Sequence, residues 1–182
     1  MADEDRAHFA AIPWCARHLD QPHVIACQPT SRTAKPTLED ALFAVTLKTD
    51  GTIKAMLQFF DRPATPQERV EEIKVFLTLG CGLNGYPGVC HGGLVTTILD
   101  EVVGLLIPIN MEREMILRGT YMTAYLNTTF VKPVATSSTV LARASFTKVE
   151  GRKYFAIGSI EDENGVLLAK ADALFVQLKS AL

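Results

Sequence analysis

The spacing of hydrophobic positions changes along the chain and separates an arm from a folded unit. Residues 1–40 hold no sustained period. A short helix fits Asp3–Ala11, but Pro13, Pro22, Pro29 and Pro36 leave no room for a long helix or strand after about Cys15. This stretch is expected to be an extended arm that packs on the domain or covers a pocket, with residues 41–182 as the folded domain. Leu42–Thr49 and Thr52–Phe60 are β-prone runs around Asp50-Gly51, which predicts a tight hairpin. Thr65-Pro66-Gln67-Glu68 has the form of a helix start, with a Thr cap, Pro first and Glu third, so a short helix is expected there. Ile73–Leu79 alternates as a strand.

After Gly93 the period becomes helical for about 14 residues, up to Pro108. At 100° per residue, Leu94, Val95, Ile98, Leu99, Val102, Val103, Leu105 and Leu106 form one broad apolar arc. The opposite strip holds Gly93, Thr96, Thr97, Asp100 and Gly104, so a carboxylate sits mid-helix among small residues that let another molecule approach. Glu101 projects roughly 100° from Asp100, at the edge of the apolar arc. Arg118–Val131 then alternates as a strand, with Met122, Ala124, Leu126 and Phe130 on one face. Tyr121, Thr123, Tyr125, Asn127 and Thr129 take the other face. Thr139–Val149, Tyr154–Glu161 and Leu167–Leu178 follow as three more strands, with turns at Glu150-Gly151-Arg152 and Glu163-Asn164-Gly165. Strands, one apolar helix and a meander predict an α+β fold in which an antiparallel sheet wraps the helix, because no other helical layer exists to bury it.

Composition narrows the function classes. A chain of 182 residues suits one domain with a real core. The net charge of −2, without a dense Lys/Arg run, gives no reason to expect nucleic acid. Apolar runs are interrupted well short of about 20 residues, which argues against a membrane span. The acidic start has neither a secretory nor a mitochondrial pattern, and Cys15, Cys27, Cys81 and Cys90 lack CxxC spacing. Free thiols and a cytoplasmic setting are therefore expected, with no metal site. Cys90 adjoins His91 and admits a nucleophile reading, although a buried packing role is favoured. There is no Gly-x-Ser-x-Gly elbow, no glycine-rich phosphate loop and no second core histidine to partner His91, so no cofactor is implied.

The chemistry points to the joint before the helix. Gly85, Pro87 and Gly88 lead through His91, Gly92 and Gly93 into the helix start. Backbone N–H groups there lack partners and carry the positive end of the macrodipole, so they attract an oxygen that is or becomes negative.

The stretch NGYPGVCHGGLVTTILDEVVG, with TAYLNTTFVKPV and KVEGRKYFAIGSIEDENGVLLAKADALFVQL, resembles the hotdog-fold acyl-CoA thioesterases. It is most similar to the phenylacetyl-CoA thioesterase-like branch and its eukaryotic relatives, over roughly residues 70–178. The resemblance implies a hotdog fold with an N-terminal extension and hydrolysis of an acyl thioester of coenzyme A or a carrier protein. It also implies that Gly92 offers its N–H to the thioester carbonyl while His91 shapes the turn. Asp100 would be the nucleophile or the general base, and Thr123 would orient the water or the carboxylate. Asn84, Gly93, Glu101 and Tyr125 are candidate substrate contacts. Lys132, Arg152 and Lys153, with Arg143 and Lys148, are candidates for the coenzyme phosphates.

Relatives often carry Asn or Gln six residues before the motif His, where this chain has Gly85, with Asn84 one residue early. Tyr125 stands where the branch often has Asn. A hotdog module that binds acyl thioesters without hydrolysis is the alternative reading, followed by a hydratase or dehydratase. Gly92 and Asp100 lie eight residues apart, about 12 Å along a helix axis. They cannot both reach one carbonyl, so if both act the site must join two chains in a homodimer or dimer of dimers.

Overall fold

The computed structural model describes residues 2–179. Its first half contains α1 (Ala2–Ala10), α2 (Pro13–Leu19), β1 (Val24–Cys27), β2 (Ile53–Asp61), β3 (Glu72–Leu79), β4 (Asn84–Tyr86) and β5 (Val89–Cys90). The second half contains α3 (Gly92–Gly104), α4 (Leu106–Glu112), β6 (Tyr121–Phe130), β7 (Ser138–Glu150), β8 (Lys153–Glu161) and β9 (Leu167–Gln177). Seven strands make one antiparallel sheet in the order β1-β2-β3-β7-β8-β9-β6, and β4-β5 form a small ribbon before α3.

The predicted apolar arc is the face that the sheet buries. Val95, Ile98, Leu99, Val102 and Val103 of α3 pack inside the curve of the sheet in one continuous core. Gly158 of β8 permits that contact, since a Cβ there would lie 2.8 Å from Val103 Cγ1. The run Gly92–Glu112 is long and apolar enough, by length and composition, to cross a membrane, but here it is the core helix of the sheet.

Residues 1–40 do more than extend. Phe9, Cys15 and Leu19 of α1 and α2 close a second apolar cluster on the outer face of the sheet with Leu57, Phe59 and Phe76. Phe9 is fully buried and stacks on Phe76 at 5.4 Å between ring centroids. Burial of such a side chain contributes roughly 1.5–3 kcal/mol. β1 then pairs with β2 and forms one edge of the sheet.

Four local expectations fail for identifiable reasons. Leu42–Thr49 is not a strand: Leu42–Thr46 winds as a π-helical turn. β1 takes the edge of β2 at Gln58–Asp61, where the far end of the run would have paired. Fully buried Arg32 instead donates to the carbonyls of Phe43 (3.0 Å), Leu47 (3.4 Å) and Ile53 (2.9 Å). Asp50-Gly51 is consequently a turn between that coil and β2 rather than a hairpin. Thr65-Pro66 begins a cap-like turn in which Glu68 accepts from Ala64 N–H at 3.0 Å, but β3 starts at Glu72 and leaves no length for a helix. The helix does not stop before Pro108, because α4 follows α3 directly and places this proline in its first turn, where a missing N–H costs least.

A fifth difference matters for function. β6 pairs Thr123 with Phe175 but Tyr125 with Leu174, so Ala124 is an extra, bulged residue. Paired residues share a face, and the bulge inverts the alternation midway. Thr123 and Leu126 therefore face inward, while Met122 and Tyr125 are 43% and 40% exposed.

Candidate active site

α3 starts from an unusual cap. His91 has extended backbone geometry (φ −60°, ψ 133°), and its imidazole Nδ1 accepts from Gly93 N–H at 3.0 Å. The His91 carbonyl accepts from Leu94 and Val95 N–H. These bonds use every N–H of the first turn except one: among the described residues, Gly92 N–H has no acceptor. His91 thus holds the helix start and does not reach Asp100, a positioning part consistent with shaping the turn.

The glycines flanking His91 provide the space for this cap. A Cβ on Gly93 would come 3.0 Å from His91 Nδ1. A Cβ on Gly85 would come 2.8 Å from His91 Cα and 2.9 Å from its ring Cδ2. The departure at position 85 therefore has a local meaning, since the imidazole occupies the space a longer side chain would need. Asn84 is not a contact of the Asp100 cleft, because its Oδ1 accepts from Thr136 Oγ1 at 2.5 Å.

A pocket of about 330 Å³ opens beside Gly92, lined by Val95, Phe130 and Lys132 among others. The Phe130 ring would touch a Cβ at position 92 at 3.5 Å and forms one wall. Of the five basic candidates, only Lys132 stands at this pocket. Arg152 donates to Gln177 O at 2.8 Å, Lys148 pairs with Glu150 at 2.6 Å, and Arg143 lies between Glu72 and Glu161. Arg152 and Lys153 line neither this pocket nor the cleft described next.

That cleft, of about 1040 Å³, holds both carboxylates of α3. Thr123 Oγ1, turned inward by the bulge in β6, donates to Asp100 Oδ1 at 3.1 Å. Tyr125 faces away and does not line the cleft. Glu101 does line it, and burial pushes its carboxyl up to about 7. The Asp40 and Asp100 charges add to that rise, while Ser31 and the Arg32 guanidinium oppose it.

One wall of the cleft comes from the arm, through Ser31, Lys35 and Asp40. Lys35 pairs with Asp40 at 2.5 Å. No motif marks these residues in the sequence; only the expectation that the arm packs on the domain or covers a pocket pointed towards them. The two pockets share no residue, so one chain carries the Gly92 half and the Asp100 half as separate surfaces. Burial raises the Cys90 thiol to about 11, which keeps it protonated near neutrality and removes the nucleophile reading. Among the described residues, no three His, Cys, Asp or Glu side chains gather closely enough to hold a metal ion.

A sheet curved around one long helix is the hotdog arrangement, and here the helix carries a free N–H at its start and a hydroxyl-bonded Asp two turns on. Residues 87–169, which hold the helix and most of the strands that follow it, match the thioesterase superfamily. Among curated proteins, the chain is 37% identical over 100 residues to acyl-coenzyme A thioesterase THEM4 of Mus musculus. That match covers 54% of this chain and 40% of the mouse protein, so the chain spans well under two thirds of that relative. Among solved structures, a Bacillus halodurans protein crystallised with CoA is similar at 25% identity and a TM-score of 0.50, covering 60% of this chain and 69% of that one. A phenylacetic acid degradation-related protein of Ralstonia eutropha shares the fold at 21% identity and a TM-score of 0.51, over 58% of this chain and 75% of its own.

Proposed function

We propose that this chain hydrolyses an acyl-CoA or acyl-carrier thioester to the free acid and the thiol. The observation that carries the reading is the Thr123–Asp100 hydrogen bond in an open cleft, on the same helix whose first N–H is unpartnered. A thioester carbonyl gains negative charge as it is attacked, and the fixed Gly92 N–H would accept that charge without reorganising. Asp100 either attacks the carbonyl itself or takes the proton from a water that does. With Oδ1 held by Thr123, Oδ2 is the oxygen free for either route. Lys132, beside the Gly92 pocket, is the cation best located for a coenzyme phosphate.

The reading requires two copies. Gly92 and Asp100 are about 12 Å apart along α3, and their pockets are separate. β6 is a ten-residue edge strand with Met122, Tyr125 and Phe130 exposed, the kind of edge that another chain covers. A homodimer in which Gly92 of one subunit meets Asp100 of the other would supply two equal sites.

Complementation tests both parts. Gly92→Pro removes the N–H at the first helical position, where proline is tolerated, and the extended His91 before it suits a proline. Gly92→Pro and Asp100→Asn should each be inactive alone. Co-refolded, they should regain about a quarter of wild-type thiol release, because half the dimers are mixed and each mixed dimer has one intact site. No recovery from two folded, dimeric variants would refute the shared site. Absence of thiol release by wild type from short, medium, long and aromatic acyl-CoAs and carrier thioesters, with ligand still bound, would favour the non-hydrolytic module.

A further inference from the structure

The lining of the Asp100 cleft is more polar than a site for a plain hydrocarbon chain requires. Its walls near α4 are apolar, with Leu105, Ile107 and Phe175. Ser31 lines the same cleft; it is 4% exposed, and its Oγ has no hydrogen-bond partner among the described residues. A buried hydroxyl without a partner costs stability, and such a group persists where a ligand supplies the missing bond. Ser31 is not loosely held. It sits in the single turn Thr30–Arg32, and Arg32 anchors that turn through three backbone carbonyls. Glu101 faces the same space from α3, near enough for the Ser31 hydroxyl to favour its charged form but outside hydrogen-bond geometry, so neither group is fully matched by the other.

We propose that Ser31 and Glu101 form a subsite for a hydroxyl carried by the acyl group, so that hydroxyacyl thioesters are the preferred substrates. This rests on the thioesterase reading above. A hydroxyl matches both groups at once, accepting from Ser31 O–H and donating to the Glu101 carboxylate. A keto oxygen only accepts and leaves the carboxylate unmatched, while a methylene satisfies neither. The position along the acyl chain also follows. Glu101 is the residue next to Asp100 and projects about 100° from it, so the subsite lies beside the reacting carbonyl and not at the far end of a long chain. The hydroxyl therefore belongs within the first few carbons of the acyl group.

The test compares 3-hydroxydecanoyl-CoA, 10-hydroxydecanoyl-CoA and decanoyl-CoA. For wild type, kcat/KM for the 3-hydroxy substrate should exceed that for decanoyl-CoA by about tenfold or more, the factor expected of one net hydrogen bond gained at the subsite. The 10-hydroxy substrate should show no such gain. In Ser31→Ala the ratio should fall towards one, and Glu101→Leu should abolish it; the ratio is internal to each variant and is insensitive to partial loss of folded protein. Equal kcat/KM for the 3-hydroxy and plain substrates in wild type would overturn the subsite and leave the thioesterase reading standing. If no thiol is released from any of them, calorimetric titration with the same ligands decides. At least tenfold tighter binding of the 3-hydroxy ligand, lost in Ser31→Ala, would uphold the subsite while the hydrolytic reading fails, and equal binding would overturn it.

Discussion

Replacing Glu101 by Gln should stabilise the protein at pH 8 and change it little near pH 4. The Glu101 carboxyl stands at about 7 in the folded chain, chiefly because burial disfavours its charged form, against an ordinary value of 4.5. Between those values the folded chain holds a proton that the unfolded chain has lost. Wild-type stability therefore falls as pH rises from about 4.5 to about 7, and the loss is complete above that window. At 1.36 kcal/mol per pH unit the whole window amounts to about 3 kcal/mol. In a domain of this size that corresponds to roughly 6–12 °C in Tm. Gln keeps the size and polarity of the group and never ionises, so the variant lacks this one dependence. Urea unfolding of both proteins at half-unit steps from pH 4 to pH 8 isolates it, since every other titrating group cancels in the difference. A stability difference that stays flat across the range would refute the argument. So would a wild type that gains on the variant at high pH, which would mean that Arg32 stabilises the ionised carboxylate by more than burial penalises it.

Two further changes test the catalytic end of the helix. Thr123→Ala removes a hydrogen bond to a carboxylate and should lower kcat about tenfold or more while KM changes little, whereas Asp100→Asn should abolish turnover with the dimer intact. Steady-state kinetics with gel filtration checks both, and unchanged turnover in Asp100→Asn would move the role to Glu101 or end the mechanism. His91→Ala removes a helix cap and should cost about 1 kcal/mol of stability together with turnover, while His91→Asn, a good capping residue, should restore both. Asn failing where Ala fails would show that the imidazole does chemistry beyond capping.

Much of the fold was legible in the chain because single elements carry their own period. The alternation of β3 and β7–β9, the glycine turns between them and the apolar arc of α3 all appear in the structure where the pattern puts them. The sheet-wrapped helix followed from the absence of any other layer to bury that arc. Asp100, Gly92 and Lys132 were identifiable by motif and resemblance, and each lines one of the two pockets beside α3.

What only the tertiary structure decided are features without a local signature. Leu42–Thr49 is as β-prone as its neighbours, yet β1 holds the far end of the edge it would have needed, and Arg32 gathers carbonyls of the run into a coil. The bulge at Ala124 keeps β6 paired with β9 while Thr123 turns towards Asp100, a register that strand propensity does not signal. Tyr125 accordingly leaves the face on which its spacing from Thr123 had placed it. Ser31 enters the cleft through a loop held by a buried guanidinium, a contact that joins segments far apart in sequence. Periodicity reports which face of an element is buried. Which partner buries it, and which polar groups meet in the remaining space, depends on competition among distant segments for the same edges and carbonyls.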